Sequence, residues 1–342
     1  MPALLIRDPG PATTVQDVGR LAARRAGVPV AGTVAPDWLA LANALIGAPE
    51  GAAGLEIRLA GPRFEVDGPC LVAAGGPVEL RIEGQRGSRT VPPFTATALD
   101  PGDRVTTGPV RAGTLAVLAF SGGIDVPPVL GSRATYTRAR LGGLEGRALV
   151  LGDRVPIGDA PFGPPLALPS APKVGTGPIH VLPGPQDDHF TAEALATFLS
   201  EAFTVTTEVD RMGMRLSGPT LDHRARDLSQ IVSDGIVPGA VQVPGNGAPI
   251  VLLADGQTVG GYPKIATVIS ADLPRLARMA PGQTVRFEAT DISRAEAARA
   301  EEARRIAALV ASARPAGTAG GLDLRRLYED NLVSGVIGGP ES

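Results

Sequence analysis

The sequence predicts a mainly β protein of two domains with a few short helices. Two observations carry that prediction. The 44 glycines and 33 prolines are scattered along the chain and bound apolar runs of roughly four to eight residues, the pattern of short strands and tight turns. At 342 residues the chain has the length of about two domains, and one stretch divides it. That stretch, residues 161–177, reads PFGPPLALPSAPKVGTG, and its prolines and glycines cannot sustain a ladder of backbone hydrogen bonds. The expected organisation is a β-domain over 1–160, the linker over 161–177, a second β-domain over 178–292 and a helical extension over 293–342.

In the first domain the bounded apolar runs place strands at Ala3–Arg7, Leu55–Leu59, Arg63–Val66, Leu71–Ala74, Val78–Ile82 and Thr114–Phe120. In the second they fall at Ile179–Leu182, Phe203–Thr207, Met214–Leu216, Ile250–Ala254, Ile265–Ser270 and Thr284–Glu288. A helix over Pro36–Ile46 follows from the helical spacing of Trp38, Leu41, Leu45 and Ile46, with Thr33 and Asp37 near its start and Gly47 past its end. Another over Thr191–Phe203 puts Leu195, Phe198 and Leu199 on one side, and Asp187 or Asp188 is placed to cap it. Asp272–Met279 is a short third. Ser293–Ala313 has the highest helical propensity, and its Glu/Arg pairs mark a solvated face. Two echoes cross the linker: Ile57–Pro62 resembles Met214–Pro219, and Pro101–Val105 resembles Pro281–Val285. Two related β-domains explain them, and so does common turn chemistry.

A net charge of −3 and a pI near 5.7 remove the electrostatic case for nucleic acid or an anionic membrane surface as partner. The single cysteine, Cys70, lies in an apolar run and reads as a small buried hydrophobe. The N-terminus lacks a basic n-region followed by a long apolar stretch, so the expectation is a cytoplasmic protein without membrane spans. His180, His189 and His223 have no second ligand type at zinc-like spacing, and no metal site is expected.

Chemistry concentrates in Gly239–Lys264. An apolar run ends in Asp255, Gln257 and Thr258, and Gly260-Gly261-Tyr262-Pro263-Lys264 follows, so polar groups stand at a strand end where glycines admit a ligand close to the backbone. Of the 32 basic residues only Lys173 and Lys264 are lysine, which singles out Lys264 as a position needing a compact ammonium. Gln242, in the same segment, adds a carboxamide. Elsewhere, the Gly-rich turn Ser121–Pro128 leads to Arg133, which is suited to an anion. Asp210-Arg211-Met212-Gly213 reads as an ion-paired turn, and Asp210 and Arg211 are kept as binding candidates. No P-loop or strand-helix Gly-x-Gly-x-x-Gly is present.

Taken in order, Thr13–Asp17, Gly27–Gly32, Leu55-Glu56, Gly122–Arg133, Leu182–Gln186, Asp210–Gly213 and Asp255–Lys264 resemble the family that joins the C subunit of bacterial 5-oxoprolinase, the second subunit of allophanate hydrolase, the kinase-inhibitor antagonist and the carboxyltransferase region of urea amidolyase. The resemblance runs from about Leu5 to Gly339. It implies two cyclophilin-like β-barrel domains and ATP-driven chemistry on a small amide or lactam. It also implies two partners, one B-like (similar to the first subunit of allophanate hydrolase) and one A-like. Biotin, where the family uses it, is not attached to a chain of this kind. The expected function is that of a 5-oxoprolinase subunit, with an allophanate hydrolase or urea-carboxylase-type carboxyltransferase subunit, or a regulatory binding protein, as alternatives. In the expected site Lys264 stabilises oxyanion or phosphate charge and Asp255 orients Lys264 or accepts a proton. Gln242, Gln257 and Thr258 hold the amide, and Tyr262 closes the wall.

Overall fold

Strand Leu115–Phe120 is buried at all six positions, and the period-two geometry of a strand explains how. Ala116, Leu118 and Phe120 face one core and Val117 and Ala119 face another. The computed structural model describes residues 2–159 and 161–317. The first core lies between two sheets. One has the strand order Arg154–Pro156, Ala3–Asp8, Arg63–Val66, Arg104–Thr107, Leu80–Gly84, Gly87–Val91. The other runs Thr14–Gln16, Gly54–Arg58, Leu115–Phe120, Cys70–Gly75, Ala96–Leu99. Between them Phe64 meets Phe120 edge-on at 5.7 Å, and burial of each such side chain contributes about 1.5–3 kcal/mol.

The outer face of the second sheet is covered by helix α1, Pro36–Leu45, which buries Trp38, Leu41 and Leu45 against Leu71, Ala73, Val117 and Ala119. Its first turn starts on Pro36, which has no amide hydrogen to leave unsatisfied. The Thr33 hydroxyl accepts from the Ala35 amide at 3.1 Å. Cys70 is 1% exposed, and burial, with the charges of Asp103 and Asp67, pushes its thiol up to about 12. Native protein should therefore resist a thiol reagent at neutral pH, with its one cysteine labelled only after unfolding.

The second half is an eight-stranded sheet curled into a nearly closed barrel, in the order Thr284–Val285, Phe203–Val209, Gly213–Ser217, Ile250–Leu252, Ala240–Gln242, Lys264–Val268, Ile179–Pro183, Phe287–Ala289. Phe198, Phe203 and Phe287 fill one end of it, with Phe198 stacked on Phe287 at 4.6 Å. Phe198 comes from α2, Ala192–Ser200. Its cap is the Thr191 hydroxyl, which accepts from the Ala194 amide at 3.0 Å, so neither Asp187 nor Asp188 serves. Helix α3, Leu273–Ala277, is short as expected, and α4, Ile292–Ser312, has no buried residue.

The sequence reading missed the strands Thr14–Gln16, Gly87–Val91, Ala96–Leu99 and Arg104–Thr107, whose threonines, glycines and arginines interrupt any apolar run. Their neighbours recruit them: Gly54–Arg58, for instance, pairs with Thr14–Gln16. The linker also differs from expectation. Leu166–Ala167 pairs with Arg314–Pro315, and the Leu168 amide donates to the Phe94 carbonyl at 3.0 Å, which ties the stretch to the first half. Helix α4 returns there too and sets Ile306 and Leu309 against the α1 cluster. Of the expected extension, residues 318–342 lie outside the described residues. The echoed turns have one geometry, with Gly102 at φ 86° and Gly282 at φ 88°, values that favour glycine. Among the described residues no helix is long and apolar enough to cross a membrane.

The halves meet through Val34 and Leu115 against Leu253 and Ala277. Beside that contact the Ala31 amide donates to the Ala254 carbonyl at 2.9 Å.

Candidate active site between the two halves

Lys264 opens the strand Lys264–Val268, and its ammonium is buried, with the side chain 4% exposed. The ammonium donates to Asp234 Oδ2 at 2.8 Å. Asp234 is over half exposed, on the two-residue strand Asp234–Gly235 that pairs with Val259–Gly260. The Ile231 amide donates to the Gly261 carbonyl and the Ile236 amide to that of Thr258, so residues 231–236 form a strap over the Thr258–Gly261 backbone. Hydrogen bonding from Lys264, helped by the Gly235 amide, holds the Asp234 carboxyl below the usual carboxylate range.

The Pro183–Gln186 loop supplies a third member. Gln186 Oε1 accepts from the Lys264 amide at 3.2 Å and its Nε2 donates to Asp234 at 3.4 Å. Gly184 permits this approach, because a Cβ there would stand 1.9 Å from the Lys264 carbonyl oxygen. Gly184→Ala should accordingly destabilise the protein by about 1–3 kcal/mol, read as a lower denaturation midpoint.

Gln242 is buried on the strand Ala240–Gln242, in register with Lys264, and its Nε2 donates to the Tyr262 carbonyl at 3.4 Å. A Cβ on Gly260 would lie 3.1 Å from that nitrogen and 3.5 Å from Gln257 Nε2, so the two carboxamides converge on one glycine. They open onto a cavity of about 480 Å³, also lined by Tyr262, Asp210, Arg215 and, from the first half, Arg138. Lys264 is not on its wall.

At the junction of the halves Arg211 joins two carboxylates. Its Nη1 donates to Glu56 Oε1, its Nε and Nη2 donate to Asp255 at 3.1 and 2.8 Å, and Nη2 also reaches the Gly32 carbonyl at 2.8 Å. Glu56 Oε2 accepts from the Thr33 hydroxyl and the Val34 amide, both at 2.8 Å. Burial works against the Arg211 charge, but Glu56 and Asp255 outweigh it and raise the guanidinium above its ordinary range. One cation shared by two acids leaves Asp255 short of charge compensation. Burial raises its carboxyl, Glu56 and Asp210 add to the rise, and Arg211 offsets only part. Asp255 is thus a carboxylate disposed to take up a proton.

Two sequence expectations need correction. Asp255 does not orient Lys264: it receives its side-chain bonds from Arg211, and the partner of Lys264 is Asp234. Arg133 stays inside its own loop, donating to the Val126 carbonyl at 2.8 Å and to Asp125 at 3.0 Å, and does not line the cavity. In the Asp210–Gly213 turn Asp210 accepts from the Met212 and Gly213 amides, while Arg211 pairs across the halves. Gln242, Gln257, Tyr262 and Asp210 do meet at one cavity. Thr258 faces the first half, its hydroxyl 4.0 Å from where a Cβ on Gly27 would sit.

Glu56 and Arg20 were not singled out as site residues. A carboxylate between Leu55 and Ile57, inside an apolar run, is the sequence signal for Glu56, which the structure buries. Arg20 is 1% exposed and donates to the Val129 and Ala134 carbonyls. Burial lowers its basicity, with Asp17 and Asp255 opposing. Asp17 in turn accepts from the Ser132 hydroxyl and the Arg133 amide, both at 2.6 Å, which joins the Thr13–Asp17 and Gly122–Arg133 motifs.

Comparison with known proteins gives the chain its relatives. The chain is 37% identical over 294 residues to the C subunit of 5-oxoprolinase from Escherichia coli (strain K12), covering 85% of this chain and 93% of that one. It is 30% identical over 312 residues to urea amidolyase of Lachancea kluyveri, covering 83% of this chain and 17% of that one. The structure superposes on the K. lactis urea amidolyase with a TM-score of 0.83 at 29% identity, over 90% of this chain and 20% of that one. On the Kluyveromyces lactis urea carboxylase the TM-score is 0.82 at 28% identity, over 94% and 30%. The family model described as carboxyltransferase domain, subdomain A and B, matches residues 26–289, a span that holds Glu56, Arg211, Gln242, Asp255 and Lys264, and the chain belongs to that family.

Proposed function

We propose that this chain is the C-type subunit of an ATP-dependent 5-oxoprolinase, which opens the lactam of 5-oxoproline to L-glutamate together with A-like and B-like partner subunits. The observation that carries this reading is the 37% identity extending over 93% of the Escherichia coli protein. The urea amidolyases are matched over 20% or less of their length. The cavity suits the substrate class. A lactam is a planar amide with one donor and one acceptor, and Gln242 and Gln257 present both types.

Lactam resonance makes the carbonyl a poor electrophile, so its oxygen must be activated before water can attack. In the proposed reaction the γ-phosphoryl group of ATP passes to that oxygen, water adds to the carbon, and the C–N bond breaks as the nitrogen takes a proton. A second water then releases phosphate from the acyl group. The developing oxygen or phosphate charge displaces Asp234 from Lys264, whose ammonium stabilises it. Asp255, which stands off the cavity wall in its pair with Arg211, is the proposed acceptor of the proton released by the attacking water. Tyr262 closes the wall, and the partners hold ATP.

A second reading, carboxyl transfer on urea or allophanate chemistry, is favoured by the TM-score of 0.83 to the K. lactis urea amidolyase. One assay separates the two: the chain is mixed with the products of its neighbouring genes and ATP, and phosphate and glutamate are scored with 5-oxoproline, allophanate or urea. The expected result is phosphate release that depends on 5-oxoproline and yields glutamate. Turnover of allophanate or urea alone replaces the first reading with the second, and a stable complex without turnover of any points to regulation.

A further inference from the structure

We propose that the cleft on the linker side of the molecule is a second binding site, for a small organic anion with a flat apolar body such as an aryl carboxylate. This cleft has a volume of about 990 Å³ and is separate from the cavity that holds Gln242 and Tyr262. Both halves and the connecting residues Ala171–Pro178 wall it. That volume is at the upper end of the range usual for small-molecule sites, roughly 300–1,000 Å³.

Its lining pairs the margins of buried aromatic side chains with excess positive charge. Trp38 and Phe94 come from the first half and Phe287 from the second, with Trp38 and Phe94 meeting edge-on at 6.5 Å. The charged lining residues are Arg275, Arg278 and Arg286 against a single acid, Glu288. Two of these arginines are engaged with backbone: Arg275 donates to the Gly177 and Pro178 carbonyls and Arg286 to the Ser200 carbonyl at 2.7 Å.

Arg278 is different. It is 9% exposed, and its guanidinium carbon stands 4.1 Å from the centroid of Trp38. Nη1 donates to both Asp37 oxygens at 2.8 Å, while Nε is buried and has no partner among the described residues. Nε is sealed from the cleft, but Nη2 is not among the sealed atoms and has no hydrogen-bond partner among the described residues, so one donor for a second carboxylate is left at the wall of the cleft. A flat body beside Trp38 and Phe94 would leave its carboxylate within the arginine-rich side, which a cation of the same shape would find repulsive.

Trp38 is the only tryptophan of the chain, so its fluorescence reads the cleft directly. The experiment titrates the full-length protein with phenylacetate, phenethylamine and benzyl alcohol, which share a phenyl body and differ in charge. The proposal predicts a saturable change with phenylacetate, at an affinity at least about tenfold above that of the other two, a difference of about 1.4 kcal/mol. It also predicts that Arg278→Gln removes this preference. No saturable response, or equal responses to all three, overturns the proposal, as does a folded Arg278→Gln protein that keeps the preference. If that variant does not fold, Arg286→Gln, at an exposed position, is expected to weaken phenylacetate binding alone. An unchanged ratio in that variant overturns the assignment.

Discussion

Arg211→Ala is expected to destabilise the protein by about 3–5 kcal/mol, because it strips the cation from two carboxylates that are almost wholly removed from water. Glu56 and Asp255 would remain buried beside each other, and hydrogen bonds from Thr33 and Val34 compensate only Glu56. Domains of ordinary stability have about 5–15 kcal/mol in hand, so the variant should unfold at a much lower denaturant concentration. The loss should also separate the halves, since Arg211 reaches from the second half to the Ala31 and Gly32 carbonyls of the first. A control distinguishes an uncompensated charge from lost packing: Arg211→Met combined with Glu56→Gln and Asp255→Asn should regain most of the stability. A cost below about 1 kcal/mol for Arg211→Ala, the range of an exposed pair, would show that the network is not what joins the halves.

Lys264→Ala is expected to act on turnover instead. Its partner Asp234 is over half exposed and can be hydrated when the ammonium is removed, so the fold should survive. In the proposed mechanism the ammonium turns from Asp234 to developing oxyanion charge, and removal of such a donor lowers turnover by about a hundred- to a thousandfold, so glutamate formation by the assembled complex should fall in that range. Lys264→Arg should not restore it, because a planar fork cannot replace a compact ammonium in the space beneath Gln186 and Asp234. Unchanged turnover in Lys264→Ala would remove the lysine from the mechanism.

Much of the fold was legible because burial leaves a mark on composition. Leu115–Phe120 and Cys70–Gly75, buried at every position, read as unbroken apolar runs, and Leu80–Gly84 alternates buried with outward-facing residues. Thr14–Gln16 and Arg104–Thr107 left no such mark, since pairing to a neighbour creates them. The site divides in the same way. Gln242, Gln257 and Tyr262 come from one continuous segment, and the cavity brings them together. The partners of Lys264 and Asp255 were hidden for a different reason: Asp234 is an ordinary exposed acid on a two-residue strand, and Arg211 finds Glu56 at a separation of 155 residues. No local pattern encodes such a contact. It depends on how the two halves dock, with Ala31 bonded to Ala254 beside it.

In the proposed complex the lactam is held between the Gln242 and Gln257 carboxamides, next to the Thr258–Gly261 backbone that the Asp234 strap covers. Hydrogen exchange on the assembled complex, with and without 5-oxoproline, tests it most directly. The account predicts added protection confined to the strap, residues 231–236, and to residues 257–264. A complex that forms glutamate from 5-oxoproline while exchange in those two segments stays unchanged would contradict it.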